Sequence, residues 1–185
     1  MNSAEQDKWI IERVKAGENA AFKELIEKYK DDAFSLACSI VKDEGLAEDI
    51  LQEVFVKVYD RIQTFKYQSS FYTWLYRIVV NRSYNELRKK RFTRLTTFEK
   101  GSKREEAANR VDNQDLKQVI QNALKQMKAS EALVLRLFYL SELNIDEVVE
   151  ITGFSKSKVK VTLHRARKNL AEILKKQLGK EIEDL

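Results

Sequence analysis

Seven Lys or Arg side chains stand against the single acid Glu86 between Arg77 and Arg94, and six stand against none between Phe154 and Asn169. Each stretch therefore carries a net charge of about +6, although the whole chain of 185 residues is only +5. Clustered cations that neutralise regularly spaced phosphates release condensed counterions, so nucleic acid is the partner these patches fit. A solvated helix face is the plainer reading of either run alone. Two runs in separate helical contexts favour the external anion.

In the C-terminal run, Lys156, Lys160, His164 and Arg167 recur at steps of three and four, opposite an apolar stripe of Val159, Leu163, Ala166, Leu170 and Leu174. A short helix from Asp146 to Thr152, a turn at Gly153 and a long helix opening at Ser155 form the pattern of a helix-turn-helix whose second helix enters the major groove. Like charges along one helix face cost roughly 0.2–0.5 kcal/mol per pair in isolation, which again points to a bound anion.

The N-terminal run differs in its neighbours: Phe65, Tyr67, Phe71, Tyr72, Trp74, Tyr76 and Tyr84 surround it. Bases of a single strand stack on aromatic faces at about 1–3 kcal/mol each while Arg and Lys hold the backbone. Phe71, Leu75 and Ile78 share an apolar face with Trp74 beside them, so these read as core. Tyr67, Tyr72 and Tyr76 are the stacking candidates, and Arg77, Asn81, Asn85 and Arg88 line up as one polar face.

Between these patches and the N-terminus lies a stretch of the opposite sign. Asp43 to Asp60 holds six acids and one lysine, with Glu48, Asp49, Gln52 and Glu53 beside the apolar stripe. Acids in a helix's first turns are favoured by its dipole at about 0.3–1 kcal/mol, which explains Glu44, Glu48 and Asp49 without a partner. Val56, apolar and off the stripe, suggests a protein contact.

The elements that must position these groups are all helical. The chain has no proline and five glycines, 43 % hydrophobic and 34 % charged residues, an ordinary globular balance. Spacings of three and four join Phe22, Leu25, Ile26, Tyr29, Ala33, Phe34, Ala37, Ile40 and Val41, and likewise Leu46, Ile50, Val54, Phe55, Val58, Tyr59 and Ile62. A short helix from Trp9 to Val14, ended by Gly17, precedes them, and a third long helix follows Ser69 and Ser70, either of which can cap it. The pattern predicts an all-α protein: an N-terminal domain over 1–98, a polar linker over 99–114 without apolar periodicity, and a C-terminal helical domain over 115–185. Cores of this size are modest.

Several classes are disfavoured. The charged residues Glu5, Asp7 and Lys8 occupy the place of a signal peptide's apolar core, and no apolar run approaches the ~18 residues a membrane helix needs, so membrane insertion is not expected and the cytoplasm is. Cys38 is the single cysteine and sits among apolar neighbours as a structural thiol. With one histidine, no cysteine pair and no glycine-rich phosphate loop, neither catalysis, metal nor cofactor is expected.

Four segments, AFKELIEKY (21–29), AEDILQEVFVKVYDRI (47–62), FYTWLYRIVVN (71–81) and VKVTLHRARKNL (159–170), together resemble the bacterial extracytoplasmic-function (ECF) sigma factors of the sigma-70 family. The resemblance covers nearly the whole chain in order. It implies a region 2-like domain followed by a region 4-like domain in a transcription initiation factor that binds core RNA polymerase, directs it to promoters and promotes strand opening. It assigns Asp49, Gln52, Glu53 and Val56 to the clamp helices of the polymerase. It assigns Lys66, Tyr67, Gln68, Ser69 and Ser70 to a loop reading the minus-ten element and Arg77, Asn81 and Arg88 to the melted strand, to which the aromatic and polar faces read above add Tyr72, Tyr76 and Asn85. For the minus-thirty-five duplex it assigns Lys160, Val161, His164 and Arg165, to which the basic face of the same helix adds Lys156, Lys158 and Arg167. The expected partners are core polymerase and promoter DNA, both duplex and melted, with an anti-sigma factor as a further partner the family often has; the free protein is expected to be a monomer.

Departures from the family pattern fall in both helices of the helix-turn-helix. Ser157 and Lys158 stand where Gly-Thr is usual, Val161 and Thr162 where Ser-Arg is usual, and Val149 where a small residue is usual. Lys158 is expected to add a phosphate contact. Two other classes stay open on sequence alone: a stand-alone helix-turn-helix regulator and a protein-interaction adaptor.

Overall fold

The computed structural model describes residues 3–96 and 116–178. Among these, the elements in chain order are α1 (Ser3–Lys15), α2 (Asn19–Val41), α3 (Glu44–Arg61), a short 3-10 turn (Ile62–Thr64), α4 (Phe71–Thr96), α5 (Leu116–Gln126), α6 (Ala129–Leu135) running into a π turn (Arg136–Leu140), α7 (Ile145–Thr152) and α8 (Lys156–Leu178). The all-α expectation holds. The expected linker lies outside the described residues.

Local chemistry explains where the helices begin and end. Gly17, with φ of 93°, closes α1, and the Ser70 hydroxyl accepts the Thr73 amide at 3.0 Å to open α4. Asp43 caps α3 by accepting the Leu46 amide at 3.0 Å. Helix α7 opens on a capping box between Asn144 and Glu147 and closes on Gly153, whose left-handed backbone (φ 68°) would strain any larger residue. Ser155 then accepts the Lys158 amide at 3.2 Å and caps α8, which starts at the next residue.

The apolar spacings read from sequence become the core. Ala21, Leu25, Ala33, Leu36, Ala37 and Ile40 on α2 are buried against Ala47, Ile50, Val54 and Val58 of α3 and Leu75, Val79 and Val80 of α4. Each large side chain so removed from water stabilises the fold by about 1.5–3 kcal/mol. Cys38 is half-buried among them, and burial pushes its thiol up to about 11, consistent with a structural role. Helix α1 is fastened by the buried Asp7, which pairs with Lys28 and accepts the Tyr29 hydroxyl.

The two halves share one core. Helix α6 packs on α2 and α7 on α4, and a single cluster of buried side chains runs from Ile10 to Ala166. Lys42 donates to the Leu124 carbonyl at 2.7 Å, and Lys125 lies 3.4 Å from the Glu44 carboxylate. Closing the halves onto each other enlarges a core that each would build only modestly alone. Within the C-terminal half, Asn169 of α8 donates to the buried Glu131 of α6 at 2.8 Å, and Val159, Leu163 and Ala166 are fully buried. Leu170 and Leu174, further along the same stripe, are half-buried as α8 leaves the core.

Candidate polymerase and nucleic-acid interfaces

Helix α3 buries Ile50, Val54 and Val58 and therefore turns Asp49, Gln52, Glu53 and Val56 outward together. Val56 is 63 % exposed in this acidic surround. Tyr59, read from the spacing as part of the buried stripe, instead lies 42 % exposed on this side of the helix. Its ring centroid lies 5.0 Å from that of Phe22 in a T-shaped pair and its hydroxyl donates to Asn19 at 2.7 Å, so a polar tip keeps it at the surface. Glu53 is already paired: Arg82 of α4 grips it through two nitrogens at 2.5 and 2.8 Å, and these bonds hold its carboxyl below the usual range.

The loop between the 3-10 turn and α4 presents Lys66, Tyr67 and Gln68 to solvent, with Ser69 half-buried and Ser70 committed to its cap. Tyr67 has φ of 56°, and its hydroxyl donates to Glu12 of α1. Phe65, before it, is buried against Phe71 and Trp74, which sets the aromatic core under the loop. Along α4, Arg77, Asn81, Asn85 and Arg88 all face outward, with Arg88 donating to Asn85.

Tyr72 and Tyr76 stand differently. Tyr76 is 1 % exposed and Tyr72 half-buried, their rings stacked 3.9 Å apart beneath the C-terminal half. Asp32, Arg136, Leu140, Ser141 and Glu142 line the cleft around them, and burial pushes both phenols up and Arg136 down. In this closed arrangement the Tyr76 ring has no open face for a base. The sequence showed helical faces within each half but carried no signal for a face that the other half covers.

On α8, Lys156, Lys158, Lys160, Val161, His164, Arg165 and Arg167 are all exposed, opposite the buried stripe. The row is less bare than spacing alone implied. Lys156 pairs with Asp146 of α7 at 2.8 Å, the Lys158 ammonium sits 3.7 Å from the Phe154 ring centroid, and Arg167 lies over Tyr139 at 5.5 Å. Each tether fixes a long side chain against its own scaffold. Lys160, Val161, His164 and Arg165 project from the first three turns, the part of a recognition helix that reaches base edges. Val161, 50 % exposed, supplies an apolar point of the kind that meets a thymine methyl.

Comparison with known proteins agrees with this layout. The Sigma-70 region 2 family matches residues 25–93, and the Sigma-70, region 4 family matches residues 117–170. The ECF RNA polymerase sigma factor SigW of Bacillus subtilis is 32 % identical over 183 residues, spanning 91 % of this chain and 94 % of that one. The chain belongs to the ECF sigma factors of the sigma-70 family. The ECF RNA polymerase sigma-E factor of Escherichia coli K12 is 29 % identical over 173 residues, 87 % of this chain and 90 % of its own. A solved structure of the sigma factor RpoE with the anti-sigma factor NepR from Bartonella quintana shares the fold, with a TM-score of 0.67 at 23 % identity over 83 % of this sigma factor and 96 % of that chain. This sigma factor is a transcription initiation factor that binds RNA polymerase, in a family of transcription factors that are not enzymes. Among its described residues, no helix is long and apolar enough to cross a membrane.

Proposed function

We propose that three surfaces divide the work of initiation. Residues 1–98 act as the polymerase and minus-ten unit, and residues 115–185 act as the minus-thirty-five unit. The outward face of α3, with Asp49, Gln52, Glu53 and Val56, docks on the polymerase. The observation that carries this is a pair of exposed apolar side chains one turn apart inside an acidic rim, Val56 at 63 % and Tyr59 at 42 %, which a protein partner would cover.

The centre of α8 reads the minus-thirty-five duplex through Lys160, Val161, His164 and Arg165, while Lys156, Lys158 and Arg167 at its flanks hold phosphates. The loop Lys66 to Ser70 reads the minus-ten element, and Arg77, Asn81, Asn85 and Arg88 follow the melted strand. Unstacking a base costs a few kcal/mol, which capture of that base and strand contacts offset. Tyr72 and Tyr76 join that surface only where the C-terminal half is lifted from them. In this reading the sigma factor performs no chemistry and works in the cytoplasm with its polymerase. An anti-sigma protein is a further partner, in keeping with the RpoE–NepR complex to which the fold is similar.

Exchange of each reading surface tests the division. Replacing Lys66 to Ser70 should change minus-ten preference alone, and replacing Lys160, Val161, His164 and Arg165 should change minus-thirty-five preference alone. A shift of either exchange into the other element would contradict it.

A further inference from the structure

We propose that α1 is the positioning element of the minus-ten loop, with Glu12 and Lys15 gripping Tyr67 so that Lys66, Gln68 and Ser69 are held in their reading shape. The inference rests on the loop's assignment to the minus-ten element. It also moves Tyr67 from stacking candidate to anchor.

Tyr67 adopts a left-handed backbone, φ 56°, which residues other than Gly, Asn and Asp rarely hold without help. The help comes from α1. The Tyr67 hydroxyl donates to Glu12, and that bond holds the Glu12 carboxyl below its usual range. The Lys15 ammonium lies 4.4 Å from the Tyr67 ring centroid and that of Lys8 5.8 Å, while the Phe65 ring meets it edge-on at 4.8 Å. A ring engaged by cations, an edge and its own hydroxyl is committed to the protein.

Lys15 secures the loop's entry as well. Its ammonium donates to the Phe65 carbonyl at 3.0 Å and is 3.6 Å from Glu12, and its own carbonyl accepts Gln63 Nε2 at 3.1 Å. Helix α1 is in turn fixed to α2 by Asp7, Lys28 and Tyr29. The loop is therefore pinned at Phe65 and Tyr67 on one side and at the Ser70 cap on the other. Between these pins Lys66 and Gln68 are left exposed.

The test uses the full chain with core polymerase on a promoter library whose minus-ten bases vary and whose minus-thirty-five element is fixed, with a matching library for the minus-thirty-five. The variants are Glu12→Ala, Glu12→Gln, Tyr67→Phe, the Glu12→Ala/Tyr67→Phe pair and an exchange of Lys66 to Ser70. Glu12→Ala and Tyr67→Phe should each flatten minus-ten discrimination by about three- to tenfold, and the pair by no more than either alone, because both remove one bond. Glu12→Gln, still able to accept the hydroxyl, should keep most of it. Minus-thirty-five preference and melting temperature should not move. Unchanged minus-ten discrimination in Glu12→Ala and Tyr67→Phe, additive losses, or equal losses at both elements would overturn the role of α1. If the loop exchange alone still alters minus-ten preference, the loop assignment survives that failure; if it does not, both fall.

Discussion

Arg82 holds the Glu53 carboxylate with Nε at 2.5 Å and Nη2 at 2.8 Å, joining the acidic face of α3 to the basic helix α4. The same guanidinium reaches Glu86, so one cation organises two acids between the surfaces proposed to face polymerase and DNA. Glu53 therefore serves the fold as well as any partner.

Substitutions on this face should separate the two roles. Asp49→Lys and Val56→Glu should each weaken binding to core polymerase at least about tenfold, roughly 1.4 kcal/mol, and leave the melting temperature unchanged. Glu53→Lys should weaken binding too, but also lower stability by roughly 0.5–1 kcal/mol, because it sets a cation against Arg82 at a largely exposed site. Titration against core polymerase beside thermal melts distinguishes these outcomes.

The cap at Asp43 gives a pH-dependent prediction. Its carboxylate accepts the Leu46 amide and pairs with Lys90 at 2.9 Å, and both hold its pKa below the ordinary value, the backbone bond most. A folded-state value lower than the unfolded one contributes stability that is fully present above about pH 4 and is lost as pH falls through the folded value. Asp43→Ala should cost about 0.5–2 kcal/mol at neutral pH. Its deficit in melting temperature against the parent should narrow on acidification below about pH 4.

Tyr84 carries a buried hydroxyl with no hydrogen-bond partner among the described residues, and burial raises its pKa. Such a group costs about 1–3 kcal/mol to desolvate unpaired. Tyr84→Phe should keep the packing and raise stability by about 1 kcal/mol in a denaturant titration.

Lys158 rests on the Phe154 ring, and in the proposed duplex interface it is a phosphate contact rather than a base reader. Lys158→Ala should lower duplex affinity evenly across sequences and flatten the salt dependence by about one counterion. An unchanged slope would remove Lys158 from the interface.

Much of this was legible because it is local. The spacings of Leu25, Leu36 and Ile40, or of Ile50, Val54 and Val58, locate helices and buried faces without tertiary knowledge. The caps at Gly17, Ser70, Gly153 and Ser155 follow from short-range hydrogen bonding and backbone freedom. The outward placing of Asp49, Val56, Lys160 and His164 is the complement of those stripes.

What was not legible depends on partners distant in sequence. The bond from Tyr67 to Glu12 spans 55 positions and the grip of Arg82 on Glu53 spans 29, and neither leaves a periodic trace. The burial of Tyr76 depends on a half of the chain that packs onto α4 from beyond residue 115. Tyr59 counted as apolar by spacing, yet its hydroxyl and its bond to Asn19 keep it at the surface. The π turn at Arg136–Leu140, which follows α6 directly, likewise leaves no periodic trace.

Run-off transcription tests the central claim most directly: the purified chain is added to sigma-free bacterial core RNA polymerase on pooled genomic fragments, and transcript starts are mapped. The expected result is a set of discrete new starts that share two spaced upstream motifs and vanish with Val56→Glu. Salt-dependent DNA binding by the chain alone, with no new starts, would contradict it and leave a stand-alone helix-turn-helix regulator.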